Sequence, residues 1–159
     1  MHARSDALGA QLLRLWKRSA ALPGGSWLFS RLVGRMVPYT GALRSRVDVL
    51  RPGYARVVLR DRRGVRNHLR SIHAVALANL GEFTGGLAML TGLDPGVRAI
   101  VRQLTVEYTK KARGLLVAEC QAQTPAVTAE TTHTVHSVVS DQAGEVVARV
   151  SVTWNLRPA

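Results

Sequence analysis

The sequence predicts an α+β domain in which an antiparallel sheet packs around one long central helix, with further helices at the N-terminus. Three observations carry this. Residues 72–90 are an apolar run without alternation, long enough for a buried helix. Alternating apolar and polar segments lie on both sides of it, two before and four after. The 159 residues, 47% of them apolar and 20% charged, suffice for one domain with a core and are too few for two comfortable ones.

The elements follow in order. Residues 7–37 read as helical, with Leu8, Leu12, Leu13 and Trp16 at helical spacing and a break at Pro23-Gly24-Gly25. Ser26 is placed to cap a second helix carrying Trp27, Leu28, Leu32, Val33 and Met36. This stretch is also basic, through Arg14, Lys17, Arg18, Arg31 and Arg35. Such helices suit a membrane surface, but apolar faces of this size are expected to pack on the domain. The extension is therefore taken as residues 1–37 and the main domain as 38–159. From Tyr39 the period becomes two, and a hairpin is expected, its strands joined by Arg51-Pro52-Gly53. After the central helix and Leu93-Asp94-Pro95-Gly96, residues 97–109 and 115–123 are expected to pair across the turn 110–114. Residues 131–140 and 145–156 are expected to pair across Asp141-Gln142-Ala143-Gly144. One helix cannot be wrapped on all sides by a single sheet of this size, so its open side and the sheet edges predict a homodimer.

Composition narrows the function classes. There are 22 basic and 10 acidic residues, a net charge of +12, which suggests either an anionic partner (nucleic acid, a membrane surface or a phosphorylated small molecule) or simply a solvated basic surface. Aromatics are 5% and do not interleave with the basic residues, so no stacking platform for nucleic acid is visible. The single cysteine, Cys120, excludes an internal disulfide and a cysteine knuckle, and His68, His73, His133 and His136 lack metal-ligand spacing. No metal is expected. The first twenty residues lack the apolar run of a secretory signal, which predicts a cytoplasmic protein.

The central helix concentrates the chemistry. Between Arg62 and Leu93 the only carboxylate is Glu82, set in the least polar helix of the chain. A buried acid must be paired or functional, so either a salt bridge to an arginine of the preceding loop or a catalytic role is expected. Ala74, Ala78, Gly81, Gly85 and Ala88 form a stripe of small residues. Gly85 and Gly86, one turn from Glu82, leave room for a ligand beside the carboxylate, although tight packing on the sheet explains the stripe equally well. Asn67, His68, Ser71 and His73 flank the helix start, where orphan N–H groups and the positive end of the helix dipole favour an anion or a developing oxyanion.

At these residues the chain resembles the hotdog-fold acyl-CoA thioesterases. Asn67-His68-Leu69-Arg70-Ser71-Ile72-His73-Ala74, followed by Glu82 nine residues after His73, matches the spacing of an Asn, a His-Gly pair and a helix Asp in the phenylacetate-type branch. The closer resemblance is to the bacterial branch assigned as tetrameric acyl-CoA thioesterases, domain of unknown function 4442. There N-H-x-x-x-x-H-A, a helix Glu and Y-x-K-K-A-R-G recur, the last being Tyr108-Thr109-Lys110-Lys111-Ala112-Arg113-Gly114 here. The resemblance covers about residues 38–157. It departs in having Ala74 for the usual Gly and Glu82 for Asp.

The resemblance implies a hotdog fold and hydrolysis of an acyl-CoA thioester as substrate, without a cofactor. The Ala74 N–H would hold the oxyanion and Glu82 would act as base or nucleophile. Asn67 would orient water or thioester, and His73 would fix the helix start, with Ser71 beside it. Lys110, Lys111 and Arg113, then Arg66 and Arg70, would meet the coenzyme A phosphates. Nine helical residues put His73/Ala74 and Glu82 half a turn and about 13 Å apart, so each site would combine two subunits of a homodimer, itself half of a dimer of dimers. A non-catalytic acyl-CoA-binding or sensing module of the same fold is the alternative. A hydratase would want an Asp/His pair set closer together, and nucleic-acid binding ranks last.

Overall fold

In the computed structural model, residues 8–158 are described; residues 1–7, with which the expected extension begins, and residue 159 lie outside them. Six strands form one antiparallel sheet: β1 (Arg46–Arg51), β2 (Tyr54–Leu59), β3 (Arg98–Tyr108), β4 (Leu116–Gln121), β5 (Thr131–Ser140) and β6 (Val146–Arg157). Their order across the sheet is β1-β2-β4-β5-β6-β3. The long helix α4 (Ala74–Gly92) packs against β2, β4, β5 and β6. Its sheet-facing residues, among them Leu77, Leu80, Gly81, Thr84 and Ala88, are buried against Val57, Ala118, Val139, Val150 and Val152 in one continuous core. By length and hydropathy α4 could cross a membrane, but here it is the core helix.

The expected two-strand, helix, four-strand order is present, with one pairing corrected. β3 and β4 do not form a hairpin: β3 pairs with β6 alone, and β4 lies between β2 and β5. Burial decides this. Leu116, Ala118 and Cys120 of β4 are buried and stand opposite Leu59, Val57 and Ala55 of β2, which are fully buried too. β3 is mostly exposed, as an edge strand can be, and its 11 residues match the 12 of β6. Residues 109–115 are therefore a crossover from the edge to the middle of the sheet rather than a hairpin tip.

The N-terminal region brings two more corrections. Helices α1 (Leu8–Ala20) and α2 (Gly25–Met36) form, but Ser26 does not cap α2. The cap is Gly24 at φ 74°, a left-handed position that glycine takes without steric cost, and the Ser26 hydroxyl donates instead to the Val47 carbonyl. Residues 38–42 form a short helix, α3 (Pro38–Ala42), rather than leading into a strand, because Pro38 occupies its first turn and has no N–H to leave unpaired. In β1 the register shifts between Val47 and Val49, leaving Asp48 as an extra residue, so Val47 and Leu50, not Val47 and Val49, are the buried pair. Leu12, Phe29 and Val33 turn the inner faces of α1 and α2 into the core, where Trp16 and Phe29 meet edge to face at 5.1 Å.

Candidate active site

The start of α4 is held by a network built on Asn67. Its Oδ1 accepts from the N–H of Leu69 at 2.9 Å and from both the N–H and the hydroxyl of Ser71 at 3.2 Å, while its own N–H donates to the Ser71 carbonyl at 2.8 Å. Ser71 is buried by this arrangement, and Arg70 beside it takes a left-handed φ of 55°. The loop is stitched to its neighbours by Ile72 N–H to the Ala112 carbonyl and His73 N–H to the Val65 carbonyl, both 2.8 Å. Asn67 thus fixes the loop through its side-chain oxygen.

His73 is the N-cap of α4: its Nδ1 accepts from Val75 N–H at 3.1 Å. Its carbonyl accepts from Ala76 at 2.9 Å and Leu77 at 3.2 Å. Among the described residues the exposed Ala74 N–H is the first-turn donor left without an acceptor. Tyr108, at the end of β3, donates its hydroxyl to the Ala74 carbonyl at 2.9 Å, and burial pushes its pKa up. Tyr108 stands in the crossover motif, yet nothing in the sequence connects it with a residue 34 positions away.

The expected phosphate-binding residues divide into two groups. Arg66 is held by Asp61 at 2.5 Å, and Asp61 also accepts from Gly114 N–H at 3.0 Å. The Arg66 guanidinium, helped by that N–H, keeps the Asp61 carboxyl below the usual range. Lys110 is clamped between Asp141, at 2.7 Å, and Glu145. Lys111 and Arg113 are exposed and make no ion pair among the described residues, and Arg70 is in the same condition. All lie at the end of the sheet where α4 begins.

Glu82 sits two turns further along α4, half-buried, with no ion pair or side-chain hydrogen bond among the described residues. Burial alone pushes its carboxyl pKa up. Of the loop arginines, Arg66 is engaged by Asp61 and Arg62 by the carbonyls of Ala42 and Leu43 at 2.7 and 2.9 Å, while Arg63 and Arg70 make no ion pair with Glu82 among the described residues. Its helical neighbours Ala78 and Asn79 are half-buried and Val75 is exposed, so this side of α4 is not covered by the sheet.

The small-residue stripe serves packing. A Cβ at Gly81 would stand 2.3 Å from Val150 Cγ2, and one at Gly85 would stand 3.1 Å from Ser137 Oγ and 3.3 Å from Val135 Cγ2. A Cβ at Gly86 would stand 3.7 Å from the Trp154 ring, and the indole Nε1 is buried without an acceptor among the described residues. Both glycines are thus filled against β5 and β6 rather than opening a void beside Glu82. The structure gathers Asn67, Ser71, His73, Ala74, Arg70 and Arg113 at one end of α4, with Glu82 about 12 Å along the axis from Ala74. What it assembles is a solvated donor at a helix start and, separately, a half-desolvated, unpaired carboxylate.

Known proteins share this fold. The family model described as Domain of unknown function (DUF4442) matches residues 25–156. A structural-genomics crystal structure is 29% identical, with a TM-score of 0.81 over 96% of this chain and 100% of the other. A protein of unknown function from Pseudomonas aeruginosa, called a probable thioesterase, is 25% identical, with a TM-score of 0.72 over 87% of this chain and 97% of its own. A hypothetical thioesterase from Streptococcus pneumoniae, solved with coenzyme A, is 17% identical, with a TM-score of 0.66 over 79% and 97% of the two chains. No curated protein matches.

Proposed function

The chain belongs to the DUF4442 family and has the hotdog fold of thioesterases, and from that premise we propose that it hydrolyses acyl-CoA thioesters at a site shared between two subunits. The observation that carries the reading is Glu82, an unpaired, half-buried carboxylate with a raised pKa on the side of α4 that the sheet leaves open. A structural acid would have a partner. An acid poised to accept a proton from water, or to attack a carbonyl, is kept without one.

The chemistry needs an attacking group, a polarised carbonyl and a leaving thiolate. Glu82 removes a proton from water as the oxygen attacks the thioester carbon, or attacks that carbon itself. The Ala74 N–H, at the positive end of α4, donates to the oxyanion that forms, and collapse breaks the C–S bond. After attack by water the acid is released and the proton held by Glu82 passes to the coenzyme A thiolate. After attack by Glu82 the thiolate leaves and takes a proton from solvent, and a water hydrolyses the remaining mixed anhydride to the acid. His73 holds this helix start and Asn67 with Ser71 holds the loop behind it. They position the donor rather than transfer protons.

One helix does not bring Ala74 and Glu82 to the same carbonyl across about 12 Å, whereas antiparallel helices of two subunits would. The exposed edge of β3, with Ile100 66% and Leu104 43% exposed, supports a homodimer through that strand. Lys111, Arg113 and Arg70 are the cations we assign to the coenzyme A phosphates. Hydrolysis of a series of acyl-CoA esters, set against the same acyl groups on a short thiol, tests the reading. Turnover that favours the coenzyme A esters and disappears in Glu82→Gln supports it. Tight binding without turnover would make the chain an acyl-CoA-binding module instead.

A further inference from the structure

Residues 8–47 contain no Asp or Glu, so about the first quarter of the described chain is uniformly cationic. It also holds an unusual set of exposed large apolar side chains: Leu22, Trp27, Leu28, Met36, Val37 and Tyr39, each between 42% and 67% exposed. The core does not need them, because Leu12, Phe29 and Val33 already fill the inner faces of α1 and α2. On α2, Trp27, Arg31 and Arg35 recur at i, i+4 and i+8 along the outer face, with Leu28 beside them and the Arg31 guanidinium 5.2 Å from the Trp27 ring centroid. Between α2, α3 and the start of β1 lies a cleft of about 310 Å³ lined by Arg31, Arg35, Arg44 and Arg46 and by no carboxylate. Among the described residues, Arg46 is the one of these four that is offset by a carboxylate, Asp48 at 3.5 Å.

We propose that the outer face of α2 and α3 docks on an anionic phospholipid bilayer, with a lipid phosphate entering the cleft between Arg31, Arg35 and Arg44. The occupant follows from the combination of groups. Nucleic acid would satisfy the arginines and leave Leu28, Met36 and Val37 in water. A second copy on a two-fold axis would bring two cationic clefts together, which is repulsive. A bilayer with anionic headgroups accepts both: apolar side chains enter the acyl boundary, Trp27 and Tyr39 sit at headgroup level, and guanidiniums pair with phosphate. The floor of the cleft reaches Phe83, next to Glu82 on α4, but the arginines and exposed apolar side chains belong to α2, α3 and the start of β1, so the inference does not use Glu82.

Co-sedimentation of the full chain with vesicles of phosphatidylcholine, with or without one third phosphatidylglycerol, tests it. The chain should bind the anionic vesicles only and be released by high salt. Arg31→Gln with Arg35→Gln should lower partitioning roughly 20-fold, whereas Arg31→Lys with Arg35→Lys should keep most of it. Leu28→Ser with Met36→Ser should weaken binding at unchanged charge. Equal binding to neutral vesicles, or undiminished binding of the Gln variant, overturns the proposal. So does full release by soluble glycerol phosphate, which marks a small-anion site, or a drop in oligomer mass in the Leu28→Ser, Met36→Ser variant without vesicles, which marks a contact between copies.

Discussion

On its sheet side α4 comes so close to β6 that a single methyl at Gly81 would stand 2.3 Å from Val150, and the Gly81 carbonyl accepts a buried 2.7 Å bond from Ser137. On its open side Glu82 lies half-buried with no partner among the described residues. The two sides differ in what they give up. The sheet side uses glycines, which are poor helix formers, to gain contact. The open side gives up contact and leaves a half-buried carboxylate without a partner among the described residues. A function read from α4 must therefore rest on the face where packing is left incomplete.

Four experiments sharpen that contrast. The largest effect is expected at Glu82: Glu82→Gln keeps the volume and removes the base, and kcat/KM for acyl-CoA should fall by roughly 10²–10⁴ with the far-UV spectrum unchanged. Next comes packing. Gly81→Ala should cost about 1–3 kcal/mol in urea denaturation despite the better helix propensity of Ala, because Val150 is enclosed. Gly86→Ala, with only ordinary contact at 3.7 Å, should be neutral or stabilising by up to about 1 kcal/mol. Equal costs at the two glycines would break the comparison.

The third effect is smaller. Lys111→Ala with Arg113→Ala should raise KM for acyl-CoA about tenfold with little change in kcat, and leave a short thioester untouched. Lys110→Ala should do less to binding, since Asp141 and Glu145 already hold that ammonium. The smallest effect is a matter of linkage. Burial raises the Glu82 pKa, so the native state keeps its proton to higher pH than the unfolded chain does. Stability therefore falls as pH rises from the ordinary Glu range through the raised native pKa. Glu82→Gln should accordingly melt a few degrees above wild type at neutral pH and together with it near pH 3. A variant less stable than wild type at neutral pH would mean that Glu82 is structurally paired after all.

What was legible in the sequence was local. The run around Glu82, the Pro52-Gly53 turn and the alternation of residues 146–156 each carry their own signal, and each element formed. The helix-start residues Asn67, Ser71, His73 and Ala74 were legible as a group because they are close in sequence. Long-range choices were not. β3 and β4 are both good strands, and only burial against β2 and β6 decides where each belongs. The pairing of Arg66 with Asp61 and of Lys110 with Asp141 and Glu145 separates occupied cations from available ones, and composition counts them all alike. Trp154 lies within the strand expected over residues 145–156, but that its indole N–H has no acceptor among the described residues appears only once the ring lies against Gly86.

The central claim is that the open face of one α4 works with the helix start of another. Mixing Asn67→Ala and Glu82→Ala subunits tests it most directly. Asn67→Ala loosens the loop behind Ala74, Glu82→Ala removes the acid, and each variant alone should be nearly inactive. In a mixed dimer one site receives both defects and the other receives neither. With random reassortment about half the dimers are mixed, so roughly a quarter of wild-type activity should return. Mixed dimers confirmed by a different tag on each subunit that show no recovered activity would contradict the shared site.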